Sequence, residues 1–296
     1  MPDLRTLQPG DEAALDAFLA RHAESSMFLR SNARAAGLVD RGEPLQATYV
    51  AAIEGGAIVA VVAHCWNGMV LVQAPARVEA VTREAVRRSG RAVAGLSGPW
   101  HQVVDAREAL GLGTTHTVKD SREDLYRLDL GDLIVPPELA AGELRCRHPE
   151  AAELDLLVNW RVSFSSEALG ATASPELRAA SRQEVLLHHA RGSDWVLVAG
   201  DKLVAQAVFN ATLPDIVQIG GVWTPPALRN RGFGRAVVAG SLVAARQQGV
   251  LRAVLFADPA NAAAGRAYLA LGFQIVGDYG LVLLRQPGAA GVLQGA

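Results

Sequence analysis

The sequence predicts a mixed α/β chain, and three observations carry that prediction. Short apolar runs punctuated by glycine turns recur along it, longer stretches between them have apolar residues at helical spacing, and one order of elements is run through twice. At 296 residues, half of them hydrophobic, the chain can bury a large core and suits two domains better than one.

Helices are expected near residues 11–22 and 27–36, then a hairpin of 47–53 with 58–64 around Glu54-Gly55-Gly56-Ala57. Strand 69–72, helix 77–88, strand 91–96, helix 101–110 and strand 124–130 complete the first half. Within it, His64-Cys65-Trp66-Asn67-Gly68 reads as a tight turn on its Asn-Gly pair. Pro136-Pro137 and Ala140-Ala141-Gly142 then interrupt the pattern, which places a boundary within 131–143 and domains at 1–135 and 144–296. The second half opens with strand 144–147, helices 151–169 and 175–190, and a hairpin of 195–199 with 203–209 turning at Gly200-Asp201-Lys202. Strand 216–222, a glycine loop, helix 236–247, strand 252–256, helix 260–271 and strands 273–276 and 280–284 follow. Ile58 and Leu203 begin equivalent strands about half the chain apart, as duplication of one fold would produce.

Charge divides unevenly: residues 1–143 carry 14 basic and 19 acidic side chains, residues 144–296 carry 14 and 11. The slight positive excess of the second half suits a polyanionic cofactor and is too weak for a nucleic-acid groove. Cys65 and Cys146 stand apart with no metal-ligand spacing, so neither a disulfide framework nor a metal site is expected. No apolar run approaches membrane-spanning length, and Met1-Pro2-Asp3-Leu4-Arg5 lacks a signal-peptide core, from which a cytoplasmic location is expected.

The richest segment is Val222-Trp223-Thr224-Pro225-Pro226-Ala227-Leu228-Arg229-Asn230-Arg231-Gly232-Phe233-Gly234-Arg235. A strand stops at two prolines and turns into a helix whose first amides favour an anion, and Gly232 and Gly234 let phosphate oxygens approach. Arg229, Arg231 and Arg235 supply countercharge. No Lys-Ser or Lys-Thr follows the glycines as a P-loop requires, and Val237 takes the third glycine place of a dinucleotide fingerprint.

Arg229-x-x-Gly232-x-Gly234 resembles the pyrophosphate loop of the GCN5-related N-acetyltransferases (GNAT), and Asn261, Tyr268 and Gly272-Phe273 follow where that family would place them. The whole resembles a tandem protein with a degenerate first copy and an FR47-like C-terminal domain. In the first half the corresponding stretch, Gln73-Ala74-Pro75-Ala76-Arg77-Val78, has no glycine, so no CoA loop is expected there. The resemblance implies acetyl-CoA as cosubstrate, no metal, and acetyl or short acyl transfer to the amine of a small-molecule acceptor. It assigns the cofactor to main-chain groups of Val222, Trp223 and Thr224, to Arg229, Asn230, Arg231, Gly232, Phe233, Gly234 and Arg235, and to Asn261. Asn261 equally reads as a helix cap. Tyr268 is the expected acid, a phenol of ordinary pKa about 10 that is protonated at neutral pH. Glu167 is the candidate base, with a solvated carboxylate as the competing reading. His188 and His189, adjacent on one helix, point in different directions and are assigned no role. A non-catalytic acyl-CoA-responsive module and a protein lysine acetyltransferase are the alternatives.

Overall fold

The computed structural model describes residues 3–113 and 117–285. In chain order its elements are β1 (Asp3–Thr6), α1 (Glu12–Leu19), α2 (Met27–Ala36), β2 (Ala47–Glu54), β3 (Ala57–Cys65), β4 (Met69–Gln73), α3 (Val78–Ser89), β5 (Gly95–Gly98), α4 (Trp100–Ala109) and β6 (Thr117–Asp129). There follow α5 (Pro137–Ala140), β7 (Leu144–Arg147), α6 (Leu154–Ala168), α7 (Pro175–Ala190), β8 (Asp194–Ala199), β9 (Lys202–Thr212), β10 (Ile216–Trp223), α8 (Phe233–Gln247), β11 (Arg252–Ala257), α9 (Ala262–Leu269) and β12 (Gln274–Leu284).

The chain forms two compact units, one of residues 1–124 with 277–296 and one of 125–276. The sequence-based limits, 1–135 and 144–296, differ in two ways. The segment 131–143 lies inside the second unit, and the last strand returns to the first. The reason for the return is apolar pairing: Gly280 to Leu283 lie antiparallel to Gly98 to Gly95 of β5, with Val282 wholly buried. Nor does the chain break into two strands at 277–279. Space around Gly277 is open, and Arg122 holds Asp278 at 2.7 Å, so β12 runs through.

The units share a topology. In the first, β1-β2-β3-β4-β5 are successive neighbours, followed by the 277–284 part of β12. In the second, β7-β8-β9-β10-β11 are successive neighbours, followed by the 125–129 part of β6. In both, the first three pairings are antiparallel and the fourth, β4–β5 or β10–β11, is parallel. An identical sequence of pairings in each half is what duplication of a single fold leaves behind.

Alternation sorts each sheet into two faces. In the first unit Val50, Ala52, Ala60 and Val62 pack with Val81 and Ala85 of α3 and Val103 of α4, whereas Tyr49, Ala51, Val61 and Ala63 pack with Leu15 and Phe18 of α1 and Leu29 of α2. In the second, Leu197, Ala205, Ala207, Val217 and Ile219 face Val237, Val238 and Leu242 of α8 and Tyr268 of α9. On the other side Val196 and Trp223 meet Leu157, Val158 and Trp160 of α6 and Val185 of α7. The hairpins turn where glycine is needed: Gly55 and Gly56 take φ of +57° and +81°, as a two-residue turn of mirror-image type requires. Among the described residues no helix is long and apolar enough to cross a membrane, and no group of acidic, histidine or cysteine side chains is arranged to hold a metal ion.

Candidate active site

The site is built at the end of β10. Its parallel pairing with β11 covers only Ile216–Gln218 against Arg252–Val254. Beyond Gln218 the strand follows β9 alone, and that register shifts twice, between Gln218 and Ile219 and between Gly220 and Trp223. Both glycines are required there. A Cβ on Gly220 would stand 2.0 Å from the Asn210 amide nitrogen, and Gly221 has φ of +54°. The irregularity turns the last residues of β10 away from β11 and leaves a fork between the strands.

Thr224, held extended by Pro225, leads into a 3₁₀ turn at Pro226–Leu228. Asn230 then takes φ of +62°, which asparagine tolerates, and Gly232 φ of +76° as the residue preceding α8. Gly232 has no side chain with which to cap the helix. The first amide to bond back is that of Ala236, to the Gly232 carbonyl at 2.9 Å, so the N–H groups of Phe233, Gly234 and Arg235 have no acceptor within the helix. A Cβ on Gly234 would lie 3.5 Å from Thr224 Oγ1, so the second glycine sits against the strand end. Arg235 folds back over the turn, with one guanidinium nitrogen 3.7 Å from where a Cβ on Gly232 would stand and with its Nε buried and unpartnered. An orphaned guanidinium N–H beside a row of open amides fits a pyrophosphate. Arg231 is exposed beside it.

Arg229 turns elsewhere. Its Nε donates to the Thr224 carbonyl at 3.1 Å, another nitrogen donates to Glu167 Oε2 at 2.9 Å, and its guanidinium lies 4.8 Å from the centre of the Trp223 ring. Glu167, about half exposed at the end of α6, is thereby tied to the root of the loop. Trp223 itself is buried, edge-on to Phe164 at 6.5 Å. Asn261 is an N-cap, its side-chain oxygen accepting from the Ala264 amide at 3.1 Å. Tyr268 is buried on α9 with its ring edge-on to Tyr126 at 5.6 Å and Phe273 at 6.0 Å. The structure therefore gathers Val222, Trp223, Thr224, Arg229 to Arg235 and Glu167 in one place. Asn261 and Tyr268 stand on α9, which packs with α8 in the core beneath the loop.

A second group was not assembled by sequence reasoning. A narrow cleft of about 20 Å³ opens among α6, α7 and β8–β10, with Arg161, Glu184, His188, Asp194, Gln206 and Gly221 in its walls. Arg161 donates from Nε to Glu184 Oε2 at 2.8 Å and lies 2.7 Å from Oε1 through a second nitrogen. His188 Nδ1 is 2.8 Å from Ser193 Oγ. Burial lowers the His188 pKa most, Arg161 and Arg191 lower it further, and Glu184 and Asp194 oppose them. Asp194 is buried with neither carboxylate oxygen hydrogen-bonded, although His189 Nδ1 lies 3.3 Å and His148 Nδ1 3.9 Å away. His148 also lies over the Trp195 ring at 4.0 Å. An aspartate opening an apolar strand shortly after a histidine pair was the available signal.

A parallel strand that parts from its neighbour and delivers its end to a glycine-headed helix defines a mixed-sheet domain with an anion seat at the fork. The family model described as "Acetyltransferase (GNAT) family" matches residues 154–273, so this segment, which holds the fork, the loop and α8, is a GNAT acetyltransferase domain. Solved structures share the fold over nearly the whole chain. A Drosophila protein matches with TM-score 0.65 at 15% identity, covering 96% of this chain and 99% of its own. A GCN5-related N-acetyltransferase from Sphaerobacter thermophilus gives 0.54 at 16%, covering 95% and 94%. A tandem GNAT protein from the clavulanic acid biosynthesis pathway gives 0.50 at 14%, covering 95% and 97%. No curated protein matches the sequence significantly.

Proposed function

We propose that the second unit transfers an acetyl or short acyl group from acyl-CoA, with acetyl-CoA the first expectation, directly to the amine of a small-molecule acceptor. The observation that carries the reading is the loop: open amides at Phe233, Gly234 and Arg235 and an unpartnered Arg235 Nε sit at the end of a strand freed from its neighbour. The amides and Arg235 bind the pyrophosphate, with Arg231 adding charge at the surface. The main chain of Val222, Trp223 and Thr224, no longer paired to β11, offers hydrogen-bonding groups along the fork to the pantetheine arm and the thioester carbonyl. The thioester supplies an activated acyl group. Arg229 and Glu167 hold the loop root to α6. Asn261 fixes the start of α9, and Tyr268 on that helix is the acid that protonates the departing sulfur. The protein works in the cytoplasm on this reading.

The first unit is the degenerate copy. Its α3 begins in the same left-handed geometry, with φ of +56° at the preceding residue, but that residue is Arg77, and Glu79 stands in the first turn. A side chain fills the place of Gly232, and a carboxylate already complements the helix N-terminus.

Calorimetric titration with acetyl-CoA, on the wild type and on Gly232→Glu, tests the reading. A Cβ at 232 meets nothing closer than the Arg235 guanidinium at 3.7 Å, and the left-handed φ of +76° adds a strain of about 1–2 kcal/mol, so circular dichroism of the variant accompanies the titration to show that the fold persists with a carboxylate in the phosphate seat. Binding by the wild type and its loss in the variant is the expected result. A wild type that binds no acetyl-CoA removes the transferase reading.

A further inference from the structure

An acid that serves a departing sulfur is effective only if its phenol is held in place, because a misplacement of about 1 Å can cost about 100-fold in rate. Tyr268 needs such holding: a tyrosine turns about two side-chain torsions, and the wells of the second are broad. Two aromatic rings restrain it. Phe273, its ring centre 6.0 Å away, is near for a local reason, since its amide donates to the Tyr268 carbonyl at 3.2 Å just after α9 ends. Tyr126 is no chain neighbour. It comes from β6, is 3% exposed, and sets its ring edge-on to Tyr268 at 5.6 Å and 62°.

Helix α9 is shaped to admit Tyr126. Asn261, Gly265 and Tyr268 follow at steps of four and three residues and so lie on one face of the helix. A Cβ on Gly265 would stand 3.2 Å from the Tyr126 hydroxyl oxygen, tighter than an ordinary contact, so the phenol rests on bare helix backbone. Glycine weakens a helix interior, and α9 has only eight residues. Its presence one turn before Tyr268 is accounted for by the ring it lets in. A helical side chain covers the turn that precedes its own Cα, which directs the Tyr268 ring over that same turn. Tyr126 therefore meets both the acid and the stretch of helix that carries it.

We propose that Tyr126 is a positioning residue for the transferase, its ring fixing the direction in which the Tyr268 phenol is presented to the departing sulfur. The inference rests on the transferase reading above and on Tyr268 as its acid. Tyr126 exchanges no proton and touches no substrate. Without its ring the core beside Tyr268 opens and the phenol takes up more than one orientation, while the anion seat at the start of α8 is unaltered.

The test compares Tyr126→Phe, which keeps the ring, with Tyr126→Leu, which removes it, each in the full chain and again on a Tyr268→Phe background. Thiol release from acetyl-CoA is followed with spermidine, benzylamine and glucosamine. Tyr126→Leu is expected to lower kcat about 10-fold with acetyl-CoA affinity by calorimetry unchanged, and Tyr126→Phe to stay within about twofold of the wild type. On the Tyr268→Phe background Tyr126→Leu is expected to cost nothing further, because no phenol remains to be aimed. A residue that only supports the fold would lower the rate by the same factor on both backgrounds, and that result overturns the proposal alone. Absence of acetyl-CoA binding by the wild type sinks the transferase reading, and the proposal with it. Carbon-13 NMR of ring-labelled tyrosine reads the restraint without turnover, the Tyr268 signal being identified by its loss in Tyr268→Phe. A Tyr268 ring-flip rate raised about 10-fold in Tyr126→Leu and unchanged in Tyr126→Phe upholds the assignment even if none of the three amines reacts. A flip rate unchanged in Tyr126→Leu overturns it.

Discussion

Gly240→Ala measures how closely α8, the helix headed by the phosphate loop, is drawn onto its sheet. A Cβ at position 240 would stand 2.2 Å from Cys146 Cβ, 2.9 Å from its Sγ and 3.5 Å from Leu139 Cδ2. Cys146 Cβ belongs to β7 and cannot swing aside, so the helix or the strand must shift, an overpacking cost of about 1–3 kcal/mol. Against it stands the gain of alanine over glycine inside a helix, about 1 kcal/mol. The net expectation in the wild type is a loss of up to about 2 kcal/mol. In a Cys146→Gly background the obstacle is gone, and the same substitution is expected to stabilise by about 1 kcal/mol. The sign therefore inverts across the cycle, with a coupling of about 1–3 kcal/mol. Urea denaturation of the four proteins, followed by tryptophan fluorescence, reads it directly. Stabilisation by Gly240→Ala in the wild type, or additivity across the cycle, refutes the argument that glycine is present to admit Cys146.

Four further outcomes follow from the same geometry. Tyr268→Phe should lower kcat about 100-fold while leaving acetyl-CoA affinity unchanged, and steady-state kinetics beside calorimetry separates the two effects. Asn261→Ala removes the bond to the Ala264 amide and should cost about 1 kcal/mol in denaturant unfolding. Cys65 and Cys146, both pushed up to about 12 by burial, should resist iodoacetamide at pH 8 and react only once unfolded, as mass spectrometry would report. His64, wholly buried with its pKa lowered to about 4 by burial and by Arg91, remains neutral in the fold while the unfolded histidine takes a proton near 6.5. Between those values the unfolded state binds the extra proton, so stability is full above about 6.5 and falls as pH drops toward 4, by about 3 kcal/mol at most. The gap in urea midpoint between pH 7.5 and pH 5 should shrink in His64→Gln.

What the sequence disclosed was local. The hairpins at Gly55-Gly56 and Gly200-Asp201 and the run from strand through glycines to helix were legible because each depends on a few residues with restricted backbone chemistry. The order of elements in both halves was legible for the same reason. Partnership was not. Nothing in Leu281-Val282-Leu283-Leu284 states which sheet it will join, since an apolar run pairs with any open apolar edge. Arg229 looked like a phosphate ligand from its place in the motif, yet its side chain reaches Glu167, a partner far away in sequence. The cleft around His188 stayed hidden because its walls come from α6, α7 and three strands. The assertion that adjacent histidines point apart was nevertheless correct: His188 meets Ser193, and His189 meets Asp194. β1, four residues of which three are polar, carried no pattern from which to read it.

The placement of β12 has a consequence for synthesis. The first unit begins to fold first but is completed last, because the strand that covers β5 leaves the ribosome only after the entire transferase domain has been made. Until then the chain must carry β5 as an open edge, the kind of template on which nascent chains aggregate. A ribosome that stalls or a message that ends a little early would therefore release a protein whose acetyltransferase loop is intact and whose defect lies in the other half. Truncation from the C-terminus would damage the beginning of the chain.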